Sequence, residues 1–144
     1  MKIIVGRVTK ASVTIDKKVY NKINHGMLVL VGFTKGDTIE NIDYLIKKLI
    51  NLRIFDDEKG IMNKSILDIK GEILSISQFT LYADTTNGNR PSYINALDRD
   101  KATILYDEFN KKLNEFVPTK SGIFGAEMHI NSINDGPVTI ILEK

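Results

Sequence analysis

Three stretches of this chain carry residue types that could do chemistry on a ligand. The first is Ser77-Gln78-Phe79-Thr80-Leu81, at the end of a largely apolar run. Hydroxyls and an amide in such a run cost free energy unless they find partners. One reading is a strand leaving the core, its hydroxyls bonded to neighbouring backbone. The other is a pocket floor, with the Phe79 ring and nearby backbone N–H groups turned toward a ligand. The second stretch is Asn134-Asp135-Gly136-Pro137-Val138-Thr139. Its composition suits a hairpin corner. The sharper alternative is a backbone device, because a Gly-Pro pair can hold two carbonyls in one direction with no Cβ on the glycine to block a ligand. The third is Gly122 to Met128, where glycines flank Phe124 and Met128 follows. That arrangement could hold a flat ring, or Phe124 and Met128 could be core residues.

Other chemistries find little support. His25 precedes a glycine in a turn, and His129 lies between Met128 and Ile130. Nothing in the spacing sets either histidine beside an activated serine, and two histidines with scattered carboxylates make a poor zinc set. Asp56-Asp57-Glu58-Lys59-Gly60 lacks the alternating oxygen ligands of a calcium loop and reads as an exposed turn. Cysteine is absent, which excludes disulfides and thiolate chemistry and suits a reducing compartment. No metal or cofactor is expected. Twenty basic and eighteen acidic residues leave a net charge of +2, which argues against a grip on long duplex DNA. A contact with one RNA end stays open, since a few phosphates need no large net charge. The apolar start Met1–Val5 is too short for a signal peptide. No run approaches the ~18 apolar residues of a membrane span, so a soluble cytoplasmic protein is expected.

The elements that must position these residues can be read from periodicity. With 144 residues the chain suits one domain. Strands are expected over 2–9, 11–16 and 19–23, with a weak turn at Asp16-Lys17-Lys18. Met27–Phe33 is a continuous apolar run, expected to be buried on both faces. A helix should span about 38–52, with Asp37 as cap, Glu40 completing a capping box, and Ile42, Leu45, Ile46, Leu49 and Ile50 on one apolar face. Met62–Asp68 reads as irregular or a short strand. Ile73–Leu81 reads as a strand, which would point Ser77, Phe79 and Leu81 one way and Gln78 and Thr80 the other. A loop over 84–92 precedes a second helix at about 98–114, with Ala102, Leu105, Tyr106, Phe109 and Leu113 as its stripe and Pro118 beyond its end. Two strands, 126–133 and 138–142, should flank the Gly136-Pro137 stretch. Strands with interposed helices imply a mixed α/β fold, a helix layer on strongly curved sheet. Two helices cover only one sheet face, so a second sheet layer or a partner subunit should cover the other.

Together, Ser77-Gln78-Phe79-Thr80-Leu81 and Asn134-Asp135-Gly136-Pro137-Val138-Thr139 resemble the two signature motifs of the D-aminoacyl-tRNA deacylase family. The resemblance extends in order through Arg7-Val8, Ala11-Ser12-Val13-Thr14, Arg53-Ile54-Phe55, Met62-Asn63, Arg90-Pro91-Ser92 and Phe124-Gly125-Ala126. Gly6, Lys17 and Asn87-Gly88-Asn89 depart from the usual pattern. The resemblance implies a single three-layer β/β/α domain over 1–144 that forms a homodimer. It implies hydrolysis of the ester joining a D-amino acid, or glycine, to the terminal adenosine of tRNA. Ser77, Gln78, Phe79, Thr80 and Leu81 would line the scissile bond, with catalysis by backbone around Phe79 and by the substrate's ribose 2′-hydroxyl. Phe124, Gly125 and Met128 would hold the adenine, and a cis Gly136-Pro137 pair would reach into the partner's site to exclude L-amino acids. Three alternatives remain at this level: an esterase with Thr80 as nucleophile, a non-catalytic RNA-end binding protein, and a homodimer with no ligand.

Overall fold

Val, Ile and Thr dominate the first fifteen residues, and they form one continuous strand, β1 (Lys2–Ile15), where two were expected. The computed structural model describes residues 1–144. The single strand exists because β1 has partners along both edges. On one edge it pairs antiparallel with β3 (Gly26–Gly32) and then with β2 (Lys18–Ile23). On the other it pairs antiparallel with β8 (His129–Glu143). Asp16 and Lys17 make the two-residue turn into β2, both with positive φ (49° and 63°), the backbone of a type I′ hairpin turn. Lys17 adopts that conformation without glycine.

β6 (Glu72–Ser77) pairs parallel with β3, and β7 (Thr119–Ser121) pairs parallel with β6. Parallel neighbours need long crossovers. The first carries α1 (Ile39–Ile50) and a small ribbon of β4 (Phe55–Asp56) with β5 (Met62–Lys64); the second carries α2 (Arg99–Asn114). β7 has only three residues, too few to show a period, and was not anticipated. The sheet curls until β2 meets β7. Asn21 Nδ2 donates to Ser121 O at 2.7 Å and Lys120 Nζ to Lys22 O at 3.0 Å, so side chains draw the barrel-like curl together where ladder bonds end.

Two cores follow from the curl. The larger lies under the helices and takes Ile3 and Val5 from β1, Met27, Val29 and Val31 from β3, and the helix faces. The smaller lies inside the curl and takes Val8, Ala11, Val13, Ile23, Leu74 and Ile76. The central strands therefore contribute to both, as expected of the Met27–Phe33 run, although Leu28 and Leu30 are only half-buried. The layers are helix, sheet and returning sheet, a mixed α/β fold.

All five expected apolar residues of α1 are buried. Its cap differs from expectation: Thr38 is the N-cap, and its N–H donates to Asn41 Oδ1 at 3.0 Å. Asp37 is occupied elsewhere, accepting from Thr34 N at 2.7 Å and pairing with the Met1 ammonium. Asp98 caps α2, accepting from Asp100 N at 3.1 Å. Ala102, Tyr106, Phe109 and Leu113 of the α2 stripe are buried and Leu105 packs partly against the core.

Two further corrections bear on the site. The strand expected over 73–81 ends at Ser77, and Phe79–Tyr82 is a 3₁₀ turn. The strand alternation proposed for residues 77–81 therefore does not apply. The two strands expected at the C-terminus are one, β8, and Asn134–Thr139 is a bulge within it rather than a hairpin corner. Gly6 pairs with Thr139 and Val8 with Asn134, so two steps along β1 face five along β8. The surplus residues are pushed out of the ladder, as in a β-bulge.

Candidate functional site

The 3₁₀ turn at Phe79–Tyr82 begins where β6 leaves the sheet beside the end of β3. Gln78 N donates to Val31 O at 2.7 Å, the last ladder-like bond before the turn. Gly32 makes the turn possible. A Cβ on it would stand 2.9 Å from Gln78 O and 3.1 Å from Leu81 Cβ, so any side chain would push the turn away. At the start of a 3₁₀ turn the first N–H groups, here those of Phe79 and Thr80, have no acceptor within the turn. Of these two residues, Phe79 borders a cavity.

A cavity of about 570 Å³ opens beside this turn. That size is within the range of small-molecule sites, roughly 300–1,000 Å³. Its floor is Ser77, Gln78 and Phe79; Phe124, Gly125 and Met128 form the opposite wall, and α2 contributes Arg99 and Ala102. The Phe124 ring rests on Tyr106, with centroids 5.8 Å apart and a tilt of 53°. Met128 fits because Gly122 is bare, since a Cβ there would lie 2.4 Å from the Met128 sulfur. Two of the three chemically suggestive stretches, 77–81 and 122–128, are thus brought together. Phe79 is 54% exposed, its ring edge-on to Tyr93 at 5.0 Å between centroids.

Thr80 and Leu81 lie one step further along the turn and are not among the lining residues. Gln78 Nε2 donates to Thr80 Oγ1. No histidine or carboxylate bonds that hydroxyl, and neither histidine lines the cavity. His25 packs edge-on to Phe55 at 5.3 Å between centroids, and His129 is exposed beside Glu127. No three His, Asp or Glu side chains gather in a group able to hold a metal ion.

Beneath the cavity, Tyr106 OH donates to Ser75 O at 2.8 Å, and burial first of all raises the phenol's pKa. Ser75 Oγ is fully buried with no partner. An unsatisfied buried hydroxyl costs about 1–3 kcal/mol. Ser75→Ala should therefore leave stability unchanged or raise it by about 1 kcal/mol, read as the urea midpoint. A clear loss of stability would show that the hydroxyl has a partner after all.

Gly136 and Pro137 do not line this cavity. Their peptide bond is cis, Gly136 has φ +113°, and both residues are exposed at the crest of the β8 bulge. One side chain missed as a site residue braces the bulge from behind. Arg7 is 6% exposed. Its Nε donates to Asp135 O at 3.3 Å and lies 3.1 Å from Asp135 Oδ2. Its Nη1 donates to Ile54 O at 2.7 Å and to Asp56 Oδ1 at 3.3 Å. The available signal was a cation at an inward position of a strand, in step with Ile3 and Val5.

Comparison with known proteins agrees with this geometry. A family profile described as D-Tyr-tRNA(Tyr) deacylase matches residues 4–143. A solved structure titled c-Myc DNA Unwinding Element Binding Protein superposes with a TM-score of 0.95 at 40% identity, covering 100% of this chain and 99% of the other. A second, titled as a probable eukaryotic D-amino acid tRNA deacylase, shares the fold with a TM-score of 0.85 at 16% identity, covering 98% and 97%. The chain belongs to the D-Tyr-tRNA(Tyr) deacylase family. It is a hydrolase that deacylates D-aminoacyl-tRNA. No helix is long and apolar enough to cross a membrane.

Proposed function

We propose that the cavity takes the aminoacylated 3′ end of a tRNA, cleaves D-aminoacyl and glycyl esters, and spares L-esters. The observation that carries this reading is the cavity floor, where a 3₁₀ turn starts at the cavity-lining Phe79, whose N–H has no acceptor within the turn, while no side-chain base touches Thr80. In this reading water adds to the ester carbonyl and the backbone N–H groups bond the oxyanion that forms. The bond from the acyl carbon to the ribose 3′-oxygen then breaks. That oxygen leaves with the proton the water gave up, and the adjacent 2′-hydroxyl bonds it as it departs. Free amino acid and tRNA result. An aminoacyl ester is already labile, so an acceleration of a few hundredfold needs only about 3–4 kcal/mol. One oxyanion donor contributes about that much.

Stereochemical selection in this reading comes from the carbonyls at Gly136-Pro137. Ile130 lines the cavity, and Gly136 lies six residues further along β8, up to roughly 20 Å away at strand rise. The filter of one chain therefore belongs in the cavity of a second copy. β8 supports a homodimer, since it is a fifteen-residue strand paired only with β1 and exposes Ile133 and Ile141. An edge of that length needs a cover. Backbone carbonyls can accept from the substrate ammonium in one enantiomer and occupy the space of the other's side chain. Glycine has no side chain to exclude. Such an enzyme would work in the cytoplasm, where charged tRNA is used.

Single-turnover deacylation of D-tyrosyl-, L-tyrosyl- and glycyl-tRNA tests this. Loss of the D and glycyl esters with the L ester spared is expected. Equal cleavage of D and L would remove the filter, and binding without cleavage would make the protein an RNA-end binder. Thr80→Ala should keep most of the activity, at least about a third, because the backbone N–H survives the change. Near-total loss with an intact fold would instead make Thr80 the nucleophile.

A further inference from the structure

Fifteen residues line the cavity, and one of them is charged: Arg99, the first residue of α2. Its guanidinium lies across Gly125 at the cavity rim. A Cβ on Gly125 would stand 2.7 Å from Arg99 Nη2 and 3.2 Å from its Cζ. Gly125 has φ +74°, and that left-handed turn carries the chain beneath the guanidinium where a side chain would collide with it. The contact joins the start of α2 to the Phe124-Gly125 wall.

The guanidinium has no partner. Arg7 is held by two carboxylates and two backbone carbonyls, and Arg53 Nε donates to Asn63 O at 3.0 Å. Arg99 makes no ion pair within 4.0 Å, although Asp98 and Asp100 flank it. The Asp98 carboxylate is engaged by the backbone of α2. Five donors in a planar fork, aimed at the rim of a largely apolar cavity and unspent on the protein, suit a ligand with paired anionic oxygens. That means a carboxylate or a phosphate.

The proposed substrate decides between the two, so this inference rests on that reading. In the ester the amino acid has no free carboxylate, and its reacting end sits at the Ser77–Phe79 floor. The adenine faces Phe124, Gly125 and Met128. The anion nearest the rim is then the phosphodiester that links the terminal nucleoside to the rest of the RNA. We propose that Arg99 grips this phosphate with a forked, charge-assisted contact and so fixes the depth to which the terminal nucleotide enters. Arg99 is a substrate-binding residue that distinguishes an RNA-linked ester from a free aminoacyl-nucleoside.

Calorimetric titration with adenosine and with adenosine 5′-monophosphate, on the full-length protein and on R99Q, tests this. The wild-type protein should bind the monophosphate roughly tenfold more tightly than adenosine at low salt, the effect of one charge-assisted contact. R99Q should lose that gap while binding adenosine like the wild type, and R99K should keep part of it. KM for D-tyrosyl-tRNA should rise in R99Q, and the slope of log KM against log salt should fall by about one phosphate contact. Arg99 is exposed and makes no protein bonds with its guanidinium, so R99Q should unfold at the wild-type temperature. Equal affinity of R99Q and wild type for the monophosphate, with adenosine bound by both, would overturn the role of Arg99 alone. Failure of adenosine itself to bind would overturn the reading of the cavity together with it.

Discussion

Gly136→Ala should slow single-turnover cleavage of a D-tyrosyl ester by roughly a hundredfold or more while the protein remains folded. The residue has φ +113°, a region that L side chains rarely adopt. The added Cβ would stand 2.9 Å from Val138 Cγ2, 3.1 Å from Val138 N and 3.1 Å from Arg7 Nη2. One of those neighbours is backbone and another is a guanidinium already fixed by four acceptors, so neither yields cheaply. The bulge must rotate instead, and the carbonyls of residues 136 and 137 turn with it. A displacement near 1 Å at a positioning group can cost about a hundredfold in rate. Both residues are exposed and neither is a core member, so the fold should survive the shift even though Val138 packs against the main core. The sensitive readout is the ratio of D to L cleavage, which a global loss of stability would not change. A variant that kept both its D rate and its D-to-L ratio would show that these carbonyls do not face the substrate.

The same bulge shows where the chain could and could not be read in advance. Asn-Asp-Gly-Pro carries turn chemistry at short range, and locally a hairpin corner was the natural reading. Its fate was decided by β1, whose second edge stays open for its whole length and accepts β8 before and after the surplus residues. A partner strand 130 residues away leaves no mark on local composition. The Ser77–Leu81 stretch failed similarly. A period-two reading carried the strand through to Leu81, but the turn at Phe79 depends on the bare Cα of Gly32 on a neighbouring strand. Helix faces were legible, since Ile42, Leu45, Ile46, Leu49 and Ile50 announce their burial through spacing alone. The α1 cap was misplaced by one residue because Asp37 has a stronger claim on it from the Met1 ammonium. Of the site, the residue types at 77–79 and 124–128 could be named from composition, and the resemblance added the pairing of their roles. Arg7 and Arg99 escaped because a lone arginine in a strand or at a helix start declares nothing until its neighbours are known.

Arg7→Ala should cost on the order of 3 kcal/mol of stability, the scale seen when one partner of a buried ion pair is removed. Arg7 is buried, while the side chains of Asp56 and Asp135 are 49% and 37% exposed, which moderates the loss by letting water reach the carboxylates. Ile54 O is less fortunate, since its 2.7 Å bond to Arg7 is buried. The more telling variant is Arg7→Lys. A lysine keeps the charge but has no planar fork, so it cannot reach Ile54 O and both carbonyl and carboxylate of Asp135 together. Stability should fall by only about 1–2 kcal/mol, because the charge is retained and part of the bonding survives. The D-to-L ratio should nevertheless drop severalfold, because Asp135 adjoins the Gly136 carbonyl and loses its anchor. Thermal unfolding measured beside D and L cleavage separates the two roles. If Arg7→Lys lost stability with an unchanged D-to-L ratio, Arg7 would hold the fold together without aiming the bulge.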